Sequence, residues 1–101
     1  MARILEGFKP EKVFYYFEEI SKIPRCSKNE KQISDYLYNL AKEKGWKVVQ
    51  DNALNIIIKK PATKGYENSP TVILQGHMDM VCEKNMDTVH DFKKDPIKLR
   101  I

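Results

Sequence analysis

The sequence predicts an α/β chain: two N-terminal helices followed by a mixed β-sheet. Three observations carry this. Apolar residues recur at helical spacing over residues 11–20 and again over 30–44; short β-branched runs follow at 46–50, 55–59 and 72–74; and turn-forming residues separate them.

The first helix opens at Lys9, Pro10 and Glu11, because a proline in the first turn lacks only an N–H that would be unbonded there anyway. Val13, Phe14, Phe17 and Ile20 make its apolar face, Lys12, Glu18, Glu19 and Lys22 its polar one, and Pro24 ends it. The second helix is expected over residues 28–44. Ser27 and Glu30 have capping-box spacing, Ile33, Leu37, Leu40 and Ala41 form the buried stripe, and Gly45 supplies the left-handed residue that closes it. Residues 46–50 and 55–59 read as an antiparallel hairpin about the turn-like Asp51, Asn52, Ala53 and Leu54. A polar loop from Pro61 to Pro70 leads to Val72, Ile73 and Leu74, which read as a strand buried on both faces. Pro96 to Ile101 alternate as a further strand and then stop without turn or cap, so residues 1–101 read as the N-terminal piece of a longer domain.

Composition narrows the function. The chain carries 18 basic and 14 acidic residues, net +4, with the lysines scattered among carboxylates and only three arginines. That is a solvated mixed-charge surface, not the concentrated basic patch of a nucleic-acid binder. No apolar stretch could span a bilayer and the N-terminus lacks a signal-peptide core, so no membrane partner is expected and the compartment is read as cytoplasmic. Cys26 and Cys82 fit no Cys-x-x-Cys spacing and are expected as free thiols in a reducing cytosol.

The candidate site follows the third apolar run. If the extended conformation lasts to Asp79, His77 and Asp79 share one face with Met78 turned away, their Cα atoms about 6.6 Å apart. A metal could bind one imidazole nitrogen while the carboxylate fixes the other. By spacing alone a polar pair or turn is the commoner outcome, and one histidine makes no tetrahedral site. His90 reads as a loop histidine. Cys82 reads as a packed thiol without a paired base, and a zinc site from Cys26, His77, Cys82 and His90 lacks the close ligand pairs of structural zinc.

Residues 74–85, LQGHMDMVCEKN, with 90–97, HDFKKDPI, resemble the aminoacyl-histidine dipeptidases, or cytosol non-specific dipeptidases, a branch of the co-catalytic zinc exopeptidases. The similarity runs upstream through residues 20–25, 27–30 and 60–63. It implies a phosphorylase/hydrolase-like three-layer α/β/α catalytic domain, of which residues 1–101 are the truncated N-terminal part. It implies two zinc ions activating a water for hydrolysis of dipeptides of Xaa-His or broader type. His77 would be a ligand of one zinc and Asp79 the adjacent catalytic aspartate. The bridging aspartate, the general-base glutamate and the remaining ligands would lie beyond Ile101, so the isolated chain would be inactive. The other reading is a non-catalytic interaction or folding module, whose unpaired strand edges, in either case, would drive homo-oligomer formation.

Overall fold

The structure, a computed structural model, describes residues 3–101. Its element order is α1 (Glu11–Ser21), α2 (Lys31–Glu43), β1 (Lys47–Gln50) and β2 (Ile56–Lys59). This is the α/β order that the sequence predicts. The chain divides into two compact units: residues 1–33 with 79–101, and residues 34–78.

In the first unit, α1 starts behind Pro10 and ends where Lys22 and Ile23 donate back to the carbonyls of Glu19 and Ile20, ahead of Pro24. Its buried side differs from the expected apolar face. Glu18 and Ser21 are 5% and 4% exposed, whereas Val13 and Phe17 are 61% and 53% exposed. The N-terminal segment decides this. Leu5 N and Ile4 N donate to the Glu18 carboxylate at 2.8 and 3.3 Å, so the buried acid satisfies two backbone donors. Arg3 donates to Glu19 Oε1 at 2.6 Å and to the Tyr15 carbonyl at 2.9 Å, with its guanidinium 4.0 Å from the Tyr15 ring centroid. The hydrogen bond from Arg3 holds the Glu19 carboxyl below its ordinary pKa.

Residues 34–78 hold most of α2 and the hairpin. The helix begins at Lys31, three residues later than the capping-box reading places it. Lys28 adopts φ 72° and its N–H donates to Glu30 Oε1 at 2.8 Å, while the Ser27 hydroxyl is engaged elsewhere, as described below. The C-terminus closes as expected: Gly45 at φ 76° lets Trp46 N reach Ala41 O and Gly45 N reach Lys42 O, both at 3.0 Å, a Schellman motif. Strands β1 and β2 pair antiparallel, with Val48 opposite Ile58 and Val49 opposite Ile57. Asp51 organises the connection. Its Oδ1 accepts from Ala53 N and Asn55 N at 2.9 and 2.8 Å, and its Oδ2 accepts from Asn55 Nδ2 at 3.0 Å, so the carboxyl is held below its ordinary pKa. Ser34 ties the helix to the turn: fully buried, its Oγ donates to Leu54 O and accepts from Gln50 Nε2, each at 2.8 Å.

Two predicted strands do not form. Residues 71–79 and 96–101 belong to no ladder, and Val72, Ile73 and Leu74 are 79%, 85% and 92% exposed. A β-branched run becomes a strand only when neighbours take its N–H and C=O groups, and among the described residues the one sheet is the β1–β2 pair. No helix among the described residues is long and apolar enough to cross a membrane.

Candidate functional site

Three residues connect α1 to the segment that follows the His-x-Asp motif. Arg25 O accepts from Met80 N at 2.9 Å and Ser27 N donates to Met80 O at 3.2 Å, which makes an isolated parallel bridge between Cys26 and Met80. The irregular chain after α1, in which Pro24 forbids further helix, is thereby laid alongside residues 79–82.

This bridge positions Asp79. The aspartate is half-buried, and its Oδ2 accepts a hydrogen bond from Ser27 Oγ at 2.5 Å, the short geometry of a hydroxyl on a carboxylate. Ser27, expected to cap α2, instead holds the candidate catalytic residue. Periodicity could not reveal this, because the two partners are 52 positions apart. Arg25 extends its guanidinium between the Ile20 carbonyl and Met80 Sδ, the latter at 3.1 Å. Burial lowers the pKa of that guanidinium from its ordinary value.

His77 is exposed and falls in the second unit, which ends at Met78, whereas Asp79 opens the returning part of the first. The strand expected to carry both is absent. His90 lies in the loop predicted for it, half-buried, its ring centroid 4.8 Å from that of Phe92. Both line a cleft of about 370 Å³ in the first unit, together with Ile23, Arg25, Met80 and Cys82. Neither His77 nor Asp79 lines it.

The cysteines correct the sequence reading. Cys26 and Cys82 are not free thiols but a disulfide, with Cα atoms 5.5 Å apart. The fold around the Cys26–Met80 bridge brings them together across 56 positions of sequence, a proximity that Cys spacing alone does not encode. Oxidation also removes both sulfurs from any set of thiolate ligands.

Among the described residues no three His, Cys, Asp or Glu side chains are grouped to hold an ion. His77 offers one imidazole and Asp79 one carboxylate already bonded to Ser27, short of the four ligands of a structural zinc site or the three of a catalytic one.

The cytosol non-specific dipeptidase of Escherichia coli K12 is 49% identical over 94 residues, which is 93% of this chain and 19% of that protein. The chain is similar to a segment of known dipeptidases. In structure it matches the aminoacylhistidine dipeptidase from Vibrio alginolyticus with a TM-score of 0.91 at 43% identity, over 99% of this chain and 20% of that one. It thus spans about a fifth of the length of either dipeptidase. No family model matches it. The dipeptidase resemblance read from the motif residues agrees with both relatives.

Proposed function

We propose that residues 1–101 form the N-terminal part of the catalytic domain of a cytoplasmic, metal-dependent dipeptidase of three-layer α/β/α architecture. The substrates are dipeptides, of Xaa-His type or broader. The observation that carries this reading is the 49% identity to a dipeptidase over 93% of the chain. The 0.91 TM-score to a second dipeptidase supports it.

Within that enzyme His77 supplies an imidazole to one of two zinc ions, and Asp79 is the adjacent aspartate, held in place by Ser27. The other ligands and the general base would come from outside these residues.

The test is a chimera in which these residues replace the matching segment of the Escherichia coli dipeptidase. The chimera is expected to hydrolyse dipeptides and the purified 101-residue chain to release no product. A folded chimera without activity, or hydrolysis by the short chain alone, would overturn the reading.

The exposed run at Val72, Ile73 and Leu74 leads us to propose that the isolated chain also self-associates. Sedimentation velocity should show mass rising with concentration; a monomer across the whole range would contradict this.

A further inference from the structure

The disulfide sits at one end of the Cys26–Met80 bridge, and that juxtaposition gives it a consequence beyond cross-linking. We propose that Cys26 and Cys82 form a redox latch on the segment that carries Asp79. Oxidised, the pair fixes residues 79–82 against residues 25–27; reduced, it lets them part.

Three features support the latch. The Cα separation of 5.5 Å lies in the middle of the range that a disulfide requires, so either redox state is compatible with the same local backbone. Both cysteines are half-buried rather than sealed in a core, so a small thiol or disulfide can reach them. The segment they tether gains little from apolar packing: Met80 and Val81 are 43% and 77% exposed. The contacts that hold it are polar and partly solvated, among them the two backbone bonds of the bridge, the bond from Ser27 to Asp79 and that from the Arg25 guanidinium to Met80 Sδ. Partly solvated hydrogen bonds of this kind open readily once a covalent tether is removed.

The chemistry balances as thiol–disulfide exchange. Closing the latch consumes a low-molecular-weight disulfide: one cysteine thiolate attacks it, displacing a thiol and leaving a mixed disulfide. The second cysteine then attacks the protein sulfur and displaces the second thiol. Two protein thiols become one disulfide, and one small disulfide becomes two thiols. A thiol reductant runs the sequence backwards. In reducing compartments disulfides are mostly transient or redox-sensing, which is the behaviour assigned to this pair.

The latch is tested on the chain itself, so its failure is distinguishable from failure of the dipeptidase reading. The protein is equilibrated with glutathione disulfide or with dithiothreitol, alkylated for thiol count, and followed by amide hydrogen exchange. After glutathione disulfide, neither cysteine should alkylate. Reduction should speed exchange at the Met80 and Ser27 amides about tenfold while the β1–β2 hairpin amides stay within about twofold. Cys82→Ser and Cys26→Ser should each show the faster exchange under both conditions. Two free thiols after glutathione disulfide would overturn the latch, as would bridge amides indifferent to reductant. Equal acceleration of the hairpin would also overturn it, because the disulfide would then be a general staple. Hairpin protection in each serine variant separates a released latch from a chain that has failed to fold.

Discussion

If Asp79 has the role proposed for it, replacing it with alanine in the chimeric dipeptidase is expected to lower the rate about 10–100-fold, the usual effect of removing a group that orients a metal-bound histidine. The side chain is half-buried and receives the Ser27 hydroxyl at 2.5 Å, so its carboxylate is held in one orientation before any substrate arrives. The cost to folding should be modest by comparison, since one partly solvated hydrogen bond contributes about 1–2 kcal/mol. Steady-state kinetics paired with thermal unfolding separates the two effects. A rate within twofold of the parent would remove Asp79 from the site, and a loss of rate matched by loss of folded protein would make it a structural residue.

The second large effect lies in unit 34–78. Ser34→Ala should destabilise that unit by about 2 kcal/mol, because the residue is wholly buried and links two groups at once. Its removal leaves the Leu54 carbonyl without its donor and takes one acceptor from Gln50 Nε2. Gln50 keeps its bond to Asp35 Oδ1 at 2.9 Å, which is why the effect should fall short of losing the whole network. Among the described residues the Leu54 carbonyl has no second donor; that residue sits at φ 69° in the turn that Asp51 organises, so strain and lost bonding coincide there. Urea unfolding followed through the Trp46 fluorescence would measure the change, and a midpoint equal to that of the unsubstituted chain would show that water replaces the serine without cost.

How much of this was legible in the sequence depended on how local the cause was. Both helices and the hairpin follow from periodicity, Pro10, Gly45 and the turn residues, and they form within a few residues of where these signals place them. The composition of Val72, Ile73 and Leu74 suits a buried strand, but composition states what a segment packs well against and not that the partner is there. Ser27 met every local requirement of a helix cap and was claimed by an aspartate 52 positions away. The same folding back paired Cys26 with Cys82. Helical spacing places Glu18 on the solvent face, yet the backbone N–H groups of Ile4 and Leu5 give a buried carboxylate a use. The motif residues His77 and Asp79 stand out from the sequence by type and spacing, but the roles proposed for them rest on resemblance to dipeptidases rather than on the geometry of a strand that does not form.

His77 is proposed as a metal ligand. Zinc content per folded chain, measured by mass spectrometry on the chimera with His77 and with His77→Ala, tests it most directly. About one of two equivalents is expected to be lost on substitution, with the fold retained. Unchanged zinc in the alanine variant would contradict it.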